Sequence, residues 1–507
     1  MKKIIRSKQI FTEEGLLNGY LVVSDGIIVK VSEGVPHEEE MQGAEYLSFE
    51  DGMVLPGLVD THCFFMGKYF QEYGEDFKGF GEEDLLLDFM NRTEKKLVLG
   101  RNVCEEAFRE LCHKSLPNEY PIVIFHESFD EMLVNEEAER CYAVNTGSVT
   151  MEGCVHLIEE AMKDEKAFLK AYENHSKKLL SRGITSVKEI MFDQGFGYLE
   201  ALEKYRAMKG LPIRMSVVSQ PVAKPWDISW GAQMKGKYQH SNLRFYGFNM
   251  MLDGSMSQEE AHLKNNYLGK DYSVRTMPDY SKAYALVKEA DEKDLAVSLH
   301  AQGGKAVEEA VRIFASMKKD ESGKLINRHS MTDLEMGEHE EFRKMTELGI
   351  HAEIYPQIQS IYEDWNGKIE QVKGHAGDEY HKIWNRRVMV SEGVSISCAT
   401  DLPLLFPSLP ESIYHGCGGF LGASEETFVG ENAMDRESLI KAWTQGGIKN
   451  LYGSEEKLGR IQDGYCADLV IFDRNLLSES YDTVRDTEVL LTISRGEIAF
   501  QKDLGTY

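Results

Sequence analysis

No run in the chain approaches the roughly 20 consecutive apolar residues that cross a bilayer, so a membrane-spanning helix is not expected. The first residues, MKKIIRSKQIFTEEG, have a basic tip but lack the apolar core of roughly 7–15 residues of a signal peptide, so a cytoplasmic protein is expected. Eight cysteines lie scattered at positions 63, 104, 112, 141, 154, 398, 417 and 466 without a CxxC pair. That spacing reads as reduced thiols, not as a disulfide framework. There is no internal repeat, no low-complexity tract, no Pro-rich linker and no GxGxxG following a strand, so no dinucleotide fingerprint. Positive charge is in deficit: Lys and Arg number 57 against 84 Asp and Glu, a formal charge of −27. Such a field repels phosphate backbones and anionic lipid, which argues against nucleic-acid and membrane partners. A small-molecule substrate is the expected partner, and a homodimer stays open.

What is present is a soluble-enzyme composition, 42% hydrophobic and 28% charged, in 507 residues. That is too long for one ordinary domain and suits a large barrel with an addition. Residues 1–56 alternate β-like runs with turns (KIIRSKQIF, GYLVVSDG, IIVKVSEG), and the far end does the same (ADLVIFDRN, EVLLTISRG, EIAFQKD). The two ends, 1–56 and 453–507, therefore read as halves of one composite β-sandwich. Between them, short apolar runs such as GITSVKEI, DLAVSLHA, GIHAEIYP and GVSISCATD alternate with amphipathic helical stretches. That repetition predicts an α/β fold with buried parallel strands, a barrel or a doubly wound sheet, over 57–452. The acidic segment at about 66–180 reads as a helical insertion, and its aromatic stretch FFMGKYFQEYGEDFKGFG either as the lining of an apolar substrate pocket or as packing, packing being preferred.

Four strand-like runs stop at a ligand-capable residue: LPGLVD at Thr61-His62, DLAVSL at His300, KLINR at His329 and GVSISCAT at Asp401. In a parallel barrel the strands' C-terminal ends form the active site, so these residues would converge. A single histidine among 15 is more often a packing residue, but the shared position makes His62, His300, His329 and Asp401 a plausible Zn²⁺ or Mn²⁺ set. A metal lowers the pKa of a water, and a nearby carboxylate can take its proton.

Six stretches carry a resemblance. VLPGLVDTHCF is similar to the first barrel strand of the amidohydrolase superfamily, P-G-hydrophobic-hydrophobic-D-x-H-x-H. NMMLDGSMSQ, HAQGGKAVEEAV, RHSMTD, GVSISCATDLPL and LGRIQDGYCADLVIFDRNLL resemble, in family order, segments of the branch that includes N-substituted formamide deformylase. The resemblance implies a (β/α)8 TIM-type barrel with a composite β-sandwich. It carries over His62, His300, His329 and Asp401 as metal-site residues.

The departures are as specific. Phe64 stands where the second histidine of H-x-H is usual, and Asn249 where the branch often has a lysine that becomes carboxylated. Asp130 replaces the histidine of a D-G-H stretch, and Arg387 matches an arginine common in the branch. A two-metal centre is therefore not expected. Lys188 and Glu189, where the branch often shows His-Asp, read either as a charge or ligand that fills the gap or as a solvated loop, the loop being preferred. Cys63 and Cys398 read as core, and His375 and His381 as lying on an exposed helix.

The function this supports is a metal-dependent hydrolase of a C–N bond in a small amide, formamide or cyclic amide. One divalent ion, zinc, would be held by His62, His300 and His329, with Asp401 as ligand and general acid/base. Asn249, Phe64, Asp130 and Arg387 are candidate substrate contacts. The alternatives are a non-hydrolytic isomerase, lyase or decarboxylase on the same scaffold, or a binding protein with a decayed metal site.

Overall fold

Eight of the apolar runs become parallel strands: β1 (Leu58–Cys63), β2 (Ile184–Phe192), β3 (Arg214–Gln220), β4 (Leu243–Met251), β5 (Ala296–Ala301), β6 (Ser330–Asp333), β7 (His351–Ile354) and β8 (Ser395–Cys398). This is seen in a computed structural model that describes residues 2–361, 365–422 and 426–503. The strands pair in chain order. Every residue of β1, β2, β3, β5 and β7 is buried, as expected for strands with helices outside and side chains inside. The ends of the sheet meet beyond β8, where Asp401 N donates to His62 O (2.9 Å) and Phe64 N to Leu402 O (2.7 Å). The result is a TIM-type barrel.

Side chains alternate across each strand, so His62 and Lys188 point inward while Cys63 and Glu189, paired in register, point outward. The barrel's N-terminal end is plugged by the helix Gly447–Tyr452. From it Asn450 Nδ2 reaches Glu353 Oε1 at 2.9 Å and Ser397 Oγ at 3.1 Å.

The two ends of the chain share one sheet. Leu469–Phe472 from the C-terminal part pairs antiparallel with Met53–Pro56, which lies beside Lys3–Thr12. The eight-stranded sheet folds over a core of Ile5, Leu21, Ile28, Val54, Leu469 and Ile493.

The inserted segment corrects the expectation of a helical insertion. It has helices, but it also builds a five-stranded sheet from Glu75–Asp76, Val98–Val103, Ile122–His126, Glu131–Val134 and Gly147–Ser148. Short β-branched runs such as PIVIFH supplied that signal. Its first helix, Phe65–Glu72, has no capping side chain of its own. The buried Glu189 carboxyl accepts from Phe65 N (2.8 Å) and Met66 N (3.1 Å) instead. Among the described residues no helix is long and apolar enough to cross a membrane.

Candidate active site

At the C-terminal ends of the strands lies a cavity of about 630 Å³, lined by His62 from β1 and Phe64 just after it, by His300 from β5, by Asp333 from β6 and by Asp401 in the turn after β8. The insertion contributes Asp130 and Glu152, and β3 contributes Gln220.

Two of these carboxylates have unusual backbones. Asp333 and Asp401 adopt φ values of 69° and 54°, left-handed conformations that few non-glycine residues tolerate and that aspartate tolerates better than most. Each turn aims its side chain off the strand axis into the cavity mouth. Strain of this kind concentrates at functional sites.

The imidazoles are each placed against carboxylates. His300 Nε2 is 2.9 Å from Asp333 Oδ2, and Nδ1 is 3.5 Å from Asp253 Oδ1. Burial opposes a charge on His300, but the Asp333 and Asp253 carboxylates outweigh it and hold the imidazole protonated, well above its ordinary range. Asp333 is in turn kept ionised by His300 against the cost of burial. His62 differs. Burial, and then the Lys188 charge, lower its pKa, so it is neutral at pH 7. Its Nδ1 is 3.3 Å from Thr332 Oγ1 and 3.6 Å from Glu353 Oε2, while Nε2 lies 3.7 Å from Asp401 Oδ1. Asp401 is pushed up to about 7, first by burial and then by repulsion from Asp333, with Glu152 adding to it. A carboxyl that exchanges its proton near neutral pH is suited to general acid/base work.

Beneath the cavity, Lys188 Nζ meets both Glu353 oxygens at 2.5 Å, with neither side chain exposed. The solvated-loop reading of Lys188 and Glu189 is thus overturned, since both lie in the middle of a buried strand. Lys188 supplies an interior charge and Glu189 an exterior cap.

Other expected site residues separate. His329 precedes β6 and so lies at the opposite end of the barrel from the cavity. Its Nε2 is 3.0 Å from Asp291 Oδ1, its Nδ1 accepts from Val297 N (3.0 Å), and its ring stacks on Phe314. It is a structural residue, and Asp333, four residues on, takes the strand-end place. Arg387 is outside the cavity, with Nε 3.4 Å from Ala433 O. The buried arginine is its neighbour Arg386, which holds Gln359 Oε1 (2.9 Å) and Tyr355 O (3.0 Å). Asn249 is buried one layer below and donates to Gln220 Oε1 at 2.6 Å. Phe64 forms an apolar wall, stacked on Phe192 and edge-on to His62. Asp130 is at the rim, near His126 and hydrogen-bonded by Ser128. His375, expected on an exposed helix, lines the cavity.

The donor set decides what metal these residues fit. Two imidazoles (His62, His300) and two carboxylates (Asp333, Asp401) are the right chemistry for one divalent ion. Phe64 and Asn249 bring no anionic donor for a second, and Lys188 is committed to Glu353. Among the described residues no three His, Cys, Asp or Glu side chains are close enough to enclose an ion. The four donors stand as two pairs.

An eight-stranded parallel barrel with a composite terminal sheet carries an imidazole–carboxylate site at its strand ends, where barrels of this type place their active sites. The model of the Amidohydrolase family matches residues 145–500, and the chain belongs to that family. A curated relative from Bacillus subtilis (strain 168), "Putative amidohydrolase YtcJ", is 21% identical over 557 aligned positions, covering 99% of this chain and all of the relative. Among solved structures, a metal-dependent hydrolase from Pyrococcus furiosus, titled uncharacterized, superposes with a TM-score of 0.72 at 16% identity, over 94% of this chain and 100% of that one. A second, from Pyrococcus horikoshii OT3, gives 0.70 at 15% identity, over 95% and 99%. The structural likenesses speak for the fold, and the family membership supports a metal-dependent hydrolase.

Proposed function

We propose that this chain hydrolyses the C–N bond of a small amide, formamide or cyclic amide, with Asp401 moving the proton. The observation that carries the reading is the Asp401 carboxyl, held inside the cavity by a left-handed backbone, pushed up to about 7 and 3.7 Å from His62 Nε2. His62, Asp333 and Asp401, with His300 once it gives up its proton, are the side chains that would hold one divalent ion, zinc by donor type. When bound, such an ion polarises the carbonyl and acidifies a water.

The chain's own residues do the rest. Deprotonated Asp401 accepts the proton that the attacking water loses and returns it to the leaving nitrogen. Glu353 and Thr332 flank Nδ1 of His62 and orient the ring, so that Nε2 faces the cavity. Thr332 is fixed by Tyr355 OH at 2.9 Å. Phe64, Phe192 and Met151 keep one wall apolar and limit water there.

The test combines metal analysis of the purified protein with turnover of candidate amides in isotopically labelled water. Hydrolysis places solvent oxygen in the acid product. Clearly sub-stoichiometric metal after zinc-supplemented expression, together with unlabelled product, would remove the proposal.

One observation favours a second reading. The donors stand in ion pairs, and the His300 imidazolium and the Asp401 carboxyl are an acid and a base in one cavity. That pair suits a non-hydrolytic isomerisation or elimination, and unlabelled product from a turning-over enzyme would select it.

A further inference from the structure

Carboxylates outnumber cationic groups in the cavity. Among its described lining residues are Asp130, Glu152, Asp333, Glu335 and Asp401, and no lysine or arginine. Asp333 is matched by His300 and Asp130 lies beside His126. Glu152 differs, because among the described residues no ammonium or guanidinium lies within ion-pair distance of it.

Glu152 is nonetheless held in place. Asn249 Nδ2 donates to Gln220 Oε1 at 2.6 Å, which fixes the Gln220 amide with its nitrogen toward the insertion. Gln220 Nε2 then donates to Glu152 Oε1 at 3.1 Å. Asn249 and Gln220 are buried, at 1% and 4% exposure, so the clamp is built into the barrel wall. A neutral amide positions a carboxylate without cancelling its charge. A second feature points to a ligand in the same space. His62 is only 4% exposed, lines the cavity, and its Nε2 has no hydrogen-bond partner among the described residues, Asp401 being 3.7 Å away. Phe64, Phe129 and the half-exposed Met251 and Leu404 give the rest of the cavity an apolar surface.

We propose that Glu152 is the specificity-determining residue of this cavity and selects a substrate carrying a protonated amine on an apolar body, an inference that rests on the hydrolase reading above. The insertion presents the carboxylate, the barrel clamps it, and the ligand's ammonium completes the pairing. An anionic substrate is repelled by Glu152, which has no cationic partner among the described residues.

The experiment is calorimetric titration of the purified full-length protein with benzylammonium, phenylmethanesulfonate and benzyl alcohol, repeated on Glu152→Gln. Glutamine keeps the oxygen that accepts from Gln220 and removes only the charge. Benzylammonium should bind most tightly, and Glu152→Gln should weaken it about 10–100-fold, the worth of a hydrogen bond to a charged group. Benzyl alcohol should bind the variant and the parent alike. Unchanged benzylammonium affinity in the variant, sulfonate binding as tight as that of the amine, or no saturable benzylammonium binding by the parent would each overturn the proposal. If the variant fails to fold, the parent's salt dependence decides. Affinity for benzylammonium should fall with ionic strength, and an unchanged value overturns the proposal. Label incorporation from water is read separately on the same preparation, so loss of that signal ends the hydrolase reading and leaves the affinity ratios standing.

Discussion

Replacing Lys188 by methionine would leave a carboxylate alone inside the barrel. Methionine fills much of the lysine's volume, so the change is electrostatic more than a cavity. In the parent, burial works against ionised Glu353, yet Lys188 and the neighbouring His62 imidazole hold its carboxyl down to about 2 from an ordinary 4.5. Because the folded value lies below the unfolded one, the stability this contributes is present above pH 4.5 and is lost as pH falls toward 2. Without Lys188 the carboxyl moves above 4.5, and folding at pH 7 must bury a charge or take up a proton. Breaking one side of a buried pair costs about 3–5 kcal/mol. Urea unfolding at pH 7 should therefore show Lys188→Met about 3 kcal/mol less stable, with a smaller deficit at pH 4. Adding Glu353→Gln, which keeps the acceptor for Asn450, should recover a large part of the loss as a measurable coupling in the double-mutant cycle. A loss below about 1 kcal/mol at pH 7, well under the cost of an uncompensated buried charge, or a deficit that grows toward pH 4, would refute the argument.

Three further outcomes follow from the same geometry. His351 is buried at the start of β7, where burial, then the Lys449 and Arg328 charges, push its imidazole down to about 3. It charges readily only in the unfolded chain, so stability should fall below pH 6.5 by about 2–3 kcal/mol at pH 4.5. His351→Gln should flatten the melting temperature over that range. Asp401→Asn should cut kcat by about 10²–10⁴-fold while its melting temperature holds or rises, since burial and repulsion from Asp333 are relieved and asparagine tolerates the positive φ. His329→Ala should lower stability by about 2–4 kcal/mol through the orphaned Asp291 and Val297 N and leave bound metal unchanged, whereas His300→Ala, which leaves Asp333 without its imidazole, should lower both stability and bound metal. Melts and metal analysis on the two variants check both halves.

The barrel was legible because parallel strands buried on both faces are apolar runs, and because the strand ends His62, His300 and Asp401 follow such runs directly. His329 misled because it touches a run from the wrong side: KLINR is the approach to β6, and the strand itself is the polar-looking Ser330–Asp333. Asp333 left a faint signal, an acidic residue closing a four-residue strand. Lys188 and Glu189 looked solvated because two adjacent charges in a nine-residue strand are rare. Only their partners, Glu353 inside and the bare amides of Phe65 and Met66 outside, make both tolerable. Glu353 was visible in GIHAEIYP as a charge within an apolar run. Glu152 and Gln220 carried no local signal, because their meeting depends on how the insertion docks, and that is a long-range outcome.

The neighbours Lys188 and Glu189 have a consequence for how this barrel can diverge. A strand's faces exchange when its register slips by one residue. A single deletion within Ile184–Phe192 would turn the ammonium toward the insertion's first helix and the carboxyl toward Glu353, putting like charges together in the core and removing the anchor of the inserted domain. The second strand thus acts as a fixed ruler, intolerant of any change in length. The loops beside it are free of that constraint, and the segment inserted between the first and second strands lies in one of them.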